Sequence, residues 1–112
     1  SIASAMASAP YSAKEAGVKA VTCHITPTQE GLQIEARVTM PSAGGREEAV
    51  IEAGQDAIWV SEPKTHRIGG QIVAVSQMYL SAGPAFSVNR SDVRITILGS
   101  SHSVDIRGCS AG

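Results

Sequence analysis

Between residues 21 and 40 the chain reads VTCHITPTQEGLQIEARVTM, and its apolar residues fall on alternate positions. Val21, Cys23 and Ile25 alternate with Thr22 and His24 until Pro27 stops the run. After the turn signal TQEG, Leu32, Ile34, Ala36, Val38 and Met40 share one parity, and Gln33, Glu35, Arg37 and Thr39 the other. A period of two marks a half-buried strand, because successive side chains leave a strand on opposite faces. PSAGG reads as a loop. EEAVIEA and DAIWVSE read as two shorter strands separated by Gly54, the second closed by Pro63. IGGQIVAVSQMYL alternates poorly and is rich in β-branched residues, which predicts one buried strand kinked at Gly69–Gly70. SAGPAF is a turn, and Ser87–Val88 begins a short edge strand. About seven short antiparallel strands with turns every eight to twelve residues predict an all-β fold, an immunoglobulin-like sandwich over residues 17–112.

DVRITILGSSHSVDIRG predicts a hairpin whose register the apolar residues select. With Ser100–Ser101 at the turn centre, Ile95 faces Ile106 and Ile97 faces Val104. A slip of one residue would oppose apolar to polar positions. The same register sets Arg94 opposite Arg107 and Thr96 opposite Asp105. Like charges directly opposed cost about 0.2–1 kcal/mol, so stability alone does not choose that pair. Two readings stand side by side: a basic ladder presented to carboxylates, or a pair neutralised locally by Asp105.

The first sixteen residues, SIASAMASAPYSAKEA, carry overlapping Ala-x-Ala triplets of the kind found at secretory cleavage sites. The positive and apolar regions of a signal peptide are not among them. Pro10 and the missing amphipathic face argue against a stable helix. Residues 1–16 are expected to form a flexible arm, and export from the cytoplasm is supported.

Composition narrows the reading. At 112 residues, 43% apolar and 17% charged, the chain suits one domain with a core. Its four aromatics, Tyr11, Trp59, Tyr79 and Phe86, leave that core to Val, Ile, Leu and Ala. No apolar run approaches the roughly 18 residues of a membrane span, so no membrane insertion is expected. The formal charge of −1 hides an asymmetry: residues 1–62 carry eight acids against four bases, and residues 63–112 five bases against two acids. A basic face that attracts an acidic partner is compatible with that split.

Cys23 and Cys109 are the only cysteines and lie near opposite ends of the patterned region. An even count fits an oxidising compartment, and a disulfide closing so long a loop is worth on the order of 4–5 kcal/mol in the chain-entropy model. Cys23 has inward parity, whereas Cys109 shares the parity of Ser103, Asp105 and Arg107. A bulge at Gly108 would turn Cys109 inward. Two free thiols are the alternative.

No catalytic or metal-binding constellation is evident. His24, His66 and His102 are far apart and lack zinc spacing with a cysteine. No serine sits in a Gly-x-Ser-x-Gly elbow, and neither IGGQ nor SAGP has the spacing of a phosphate loop. NRS at Asn89 matches a glycosylation acceptor, a triplet common by chance. Few aromatics are available to stack on single-stranded nucleic acid. The expectation is a monomeric binding protein with no enzyme activity, no cofactor, no metal and no nucleic-acid partner.

The Cys-x-Ile of CHI, the following GLQIEARV strand, the later sandwich strands and the terminal Cys109 resemble the CsgH branch of the CsgC-like curli-assembly proteins over about residues 21–109. The resemblance implies an immunoglobulin-like sandwich in the periplasm that keeps secreted curli subunits from premature amyloid formation. It also implies charge-guided contact with an acidic client, which would give a role to the basic residues Arg94, Arg107, Arg37, Lys64 and Arg67. The related CsgC branch has a Cys-x-Cys pair that this chain lacks, so redox chemistry of that kind is not implied. The alternative is an extracytoplasmic adhesion or assembly module that binds by strand addition, with SVNRS at 87–91 as the candidate edge.

Overall fold

The alternating runs become strands. In a computed structural model, which describes residues 9–83 and 85–112, the regular elements are nine strands and one 3-10 turn. The strands are β1 (Tyr11–Ser12), β2 (Ala20–Pro27), β3 (Leu32–Thr39), β4 (Glu48–Glu52), β5 (Ile58–Val60), β6 (Lys64–Ile68), β7 (Gln71–Leu80), β8 (Arg94–Leu98) and β9 (Ser103–Arg107). One sheet has the order β1-β9-β8-β4. The other runs β2-β3-β7, with β5 and β6 both pairing the far side of β7. The protein is an all-β sandwich, as its period-two pattern predicts.

The inner faces supply the core. Ile34, Ala36 and Val38 of β3, Ile72, Ala74 and Met78 of β7, and Ile51, Ile95, Ile97, Val104 and Ile106 of the other sheet are all buried. Each buried Ile side chain contributes about 1.5–3 kcal/mol relative to exposure. No aromatic belongs to the buried core, although Phe86 packs against it from the rim. Gly31, in the β2–β3 turn, approaches the Met78 carbonyl so closely that a methyl group there collides with backbone. Gly31→Ala is therefore expected to cost about 1–3 kcal/mol, read as a lower urea midpoint with an unchanged slope.

The β8–β9 hairpin has the register that its apolar residues select: Ile95 opposes Ile106, Ile97 opposes Val104, Thr96 opposes Asp105 and Arg94 opposes Arg107. Elsewhere the structure corrects the sequence reading. Gly69–Gly70 is not a kink within one strand. It is the two-residue turn of a β6–β7 hairpin, with Ile68 opposite Gln71 and Gly69 at φ 57°. Gly69, at the first turn position, supplies the positive φ that such a tight turn requires. SVNRS is not an edge strand either. Asn89 accepts a hydrogen bond from the Ser91 amide and caps the 3-10 turn Arg90–Asp92.

The arm expected over residues 1–16 is attached to the domain from Tyr11 onward, while its first eight residues lie outside the described residues. Tyr11 and Ser12 pair with Val104 and Asp105 in parallel, so the strands are not all antiparallel. The Tyr11 ring stacks on His102 at 4.7 Å between centroids. Ser12 and Glu15 cap one another reciprocally: the Ser12 amide donates to Glu15 Oε1 at 2.9 Å and the Glu15 amide to Ser12 Oγ at 3.1 Å. Two backbone-paired residues leave no periodic trace, which is why the pattern does not reveal β1.

Candidate functional site

Cys23 and Cys109 form a disulfide across 86 residues of chain, with 5.8 Å between their Cα atoms. The parity conflict disappears because Cys109 lies beyond the end of β9, and Gly108, at φ 81°, redirects the chain. The bond also closes a sheet edge. Ser110 runs along the outside of β2, accepting from the Cys23 amide at 2.8 Å and donating to the Val21 carbonyl at 3.0 Å. Arg90 donates to the Cys23 carbonyl at 2.9 Å.

The five basic residues singled out in the sequence occupy three different places. Arg94 and Arg107 stand on the outer face of the β1-β9-β8-β4 sheet, with Asp105 between them. Arg94 binds Asp105 through two bonds, Nε to Oδ1 at 2.7 Å and Nη2 to Oδ2 at 3.2 Å, and Arg107 reaches it at 3.5 Å. Those hydrogen bonds, Arg94's first, hold the Asp105 carboxyl below the usual range and raise Arg94. The geometry is that of local neutralisation. Glu48 and Glu52 on the adjacent β4 add further acid to this face.

Arg67 faces the other way, toward the rim of the sandwich. Its Nε and Nη2 grip Glu47 Oε1 and Oε2 at 2.6 and 2.9 Å, and Nη1 donates to the Met40 carbonyl at 3.0 Å. The Glu47 side chain is 5% exposed and that of Arg67 26%. Glu47 also accepts from the Ala43 amide at 2.9 Å. The Arg67 hydrogen bond holds the Glu47 carboxyl below its ordinary pKa against the opposing effect of burial. This pair ties β6 of one sheet to the segment entering β4 of the other, so Arg67 is a structural clamp and leaves the set of surface charges.

Arg37 and Lys64 share the outer face of the β2-β3-β7 sheet. The registers align it in rows: Thr22, Arg37, Val73 and His66 form one, and His24, Glu35, Val75 and Lys64 the next. Val73 is 2% exposed yet stands outside the core cluster, flanked in its row by Arg37 and His66. Arg37 bonds Glu35 at 3.3 Å, a half-exposed pair of small energetic value. Farther along the same face Trp59 opposes Tyr79, and Trp59 is 71% exposed. Between these rows and the aromatic pair, Gln77 donates to Gln33 at 3.0 Å.

The sequence reading passed over Trp59 and Tyr79 as functional residues. The signal was present in DAIWVSE: Ile58 is buried, so alternation puts the chain's single Trp on the outside. A protein that exposes its one Trp next to a Tyr, with cations on the same face, presents the residue types enriched in binding hot spots. Among the described residues no group of three His, Cys, Asp or Glu is placed to hold a metal, and no helix is long and apolar enough to cross a membrane.

Fold and disulfide define the class: a disulfide-bonded all-β sandwich of the kind that persists outside the cytoplasm. Among solved structures, the chain is similar to the N-terminal periplasmic domain of ScsB from Proteus mirabilis, with a TM-score of 0.70 and 12% identity. The likeness covers 98% of this chain and 43% of that one, so this chain spans less than half of its neighbour's length. At that identity the likeness concerns the fold. No family model matches the sequence, and no curated protein matches it.

Proposed function

We propose that the protein is a periplasmic, chaperone-like binding protein that meets curli-type amyloid subunits through the outer face of its β2-β3-β7 sheet and delays their assembly. The observation that carries this reading is the exposed Trp59, opposite a half-buried Tyr79, on the face that also bears Arg37 and Lys64. The resemblance to curli-assembly proteins, the disulfide and the likeness to a periplasmic domain support it.

The mechanism is physical rather than chemical. Amyloid grows when extended segments stack and their side chains interlock. Lys64 and Arg37 attract an acidic client at long range, and Trp59 supplies a rigid anchor that rests briefly on its apolar side chains. Such contact is weak and recurrent, so a few molecules can visit many clients and disfavour the compact species that seeds a fibre. Charge-led attraction fades within a Debye length of about 8 Å at physiological ionic strength.

Thioflavin fluorescence of curli-subunit fibre growth, with this protein at substoichiometric amounts, tests the proposal. The wild type is expected to lengthen the lag several-fold, and the effect to shrink as salt rises. Trp59→Ala combined with Lys64→Glu alters only exposed side chains, so melting temperature stays near wild type while most of the delay is lost. An unchanged delay from the folded double variant removes this face from the mechanism. Reversing Arg94 and Arg107 is a poorer test, because it would crowd two new carboxylates around Asp105.

A further inference from the structure

Sheet edges are where a sandwich can recruit another chain, and here they are unequally protected. Ser110 pairs with β2 at Val21 and Cys23, Pro63 interrupts the edge made by β5 and β6, and β1 is two residues long. β4 differs. It pairs with β8 on one side, and among the described residues no backbone hydrogen bond reaches Glu48–Glu52 on the other. Its unpaired amides and carbonyls form a ready template for an added strand.

Beside that edge β6 of the other sheet comes close to β4, and hollows open next to the contact. One hollow of about 540 Å³ is bordered by Ala49, Val50, Val60, Pro63 and Leu98, and a second of about 400 Å³ continues it past Ile51 and Ile58. Ala49 and Ile51 are buried against the core at the inner side of these hollows, while Glu48, Val50 and Glu52 are exposed, Glu48 and Val50 at the rim of the first and Glu52 at the rim of the second. Glu62 borders the first hollow and Asp56 the second, so acids line the approach. Arg46 offsets Glu48 from an almost fully exposed position, and Arg94, opposite Glu52, is already bound to Asp105.

We propose that β4 accepts an extended, basic segment of another protein as an added antiparallel strand. The segment carries Lys or Arg at two positions four residues apart, opposite Glu48 and Glu52, with a β-branched residue between them opposite Val50. The two intervening residues are apolar and enter the hollows past Ala49 and Ile51. Backbone pairing supplies affinity, and the alternating side chains supply selectivity. A second copy of this chain is the wrong occupant. Antiparallel pairing of β4 about Val50 sets Glu48 against the partner's Glu52 twice, and like charges directly opposed are destabilising. The glutamates reject self-association and select for a basic guest. β4 lies on a different sheet from Trp59 and Lys64, and neither of those residues lines the hollows, so the proposal stands independently of the client reading.

The test uses the full chain and a labelled peptide, acetyl-GKVTVKG-amide. Fluorescence anisotropy measures binding, and backbone amide shifts in NMR locate it. Expected are shifts concentrated at Glu48–Glu52, and binding about tenfold weaker for the acidic counterpart GEVTVEG. The exposed double change Glu48→Lys with Glu52→Lys reverses that preference. Methylating the peptide amides on the pairing edge abolishes binding while leaving its charge intact. Trp59→Ala leaves binding unchanged. The proposal is overturned if millimolar peptide leaves the β4 amides unmoved, or if the methylated peptide binds as well as the parent. It is also overturned if the shifts gather around Glu30 and Glu35, or if sedimentation shows the chain dimerising through β4.

Discussion

Breaking the Cys23–Cys109 bond lowers the melting temperature by about 20–30 °C. The 86-residue separation is long for a domain of this size, and in the chain-entropy model releasing such a loop costs about 4–5 kcal/mol. A domain of roughly 100 residues loses about 4–8 °C per kcal/mol. Reduction acts on more than the unfolded chain. Ser110 pairs with β2 directly beside the bond, so the released tail also uncovers the edge at Val21 and Cys23. Thermal melts followed by circular dichroism, with and without reductant, give the shift. The double variant Cys23→Ala with Cys109→Ala confirms it without reductant. A melting point within a few degrees of wild type in both experiments contradicts the staple's role.

Arg67→Ala is the second large effect, expected to cost about 3 kcal/mol at neutral pH. Removing one partner of a buried pair leaves the other charge desolvated, at a cost of about 3–5 kcal/mol. Water reaching the partly exposed Arg67 site puts the value at the lower end. The pH dependence follows from the direction of the Glu47 shift. The folded carboxyl is held below its ordinary value of 4.5, so the pair's contribution is fully present above that pH. It is lost as pH falls through the folded value. In Arg67→Ala the carboxyl no longer has that partner, and acid neutralises a charge it is costly to bury. Urea unfolding between pH 7 and pH 3 should therefore show the gap between variant and wild type narrowing toward acid. A gap that is constant across this range places the loss in packing rather than in the ion pair.

The same ion pair shows where sequence reading stops. Arg67 and Glu47 are twenty residues apart, and nothing in KTHRIGG or GREEAV marks one as the other's partner. Read alone, Arg67 counts as one more surface cation. Lys64 and Arg37 share a face because β3 and β6 both pair with β7, a fact of strand order rather than of local pattern. Arg94 and Arg107 were placed opposite one another by hairpin register, yet their electrostatic state is set by how Asp105 orients between them. Trp59 was more legible, since the alternation of DAIWVSE turns it outward once Ile58 is inside.

Local chemistry carried by the chain itself determined the strand period, the β8–β9 register and the eligibility of Cys23 and Cys109 to pair. Alternating side chains and a tight turn need only near neighbours to specify them. Sheet order, the open β4 edge, the division of five basic residues among three sites and the Trp59–Tyr79 pairing were decided by the tertiary structure. Those features depend on which strands lie side by side. Strand adjacency comes from burying two faces at once, and a one-dimensional pattern of apolar and polar residues does not contain it.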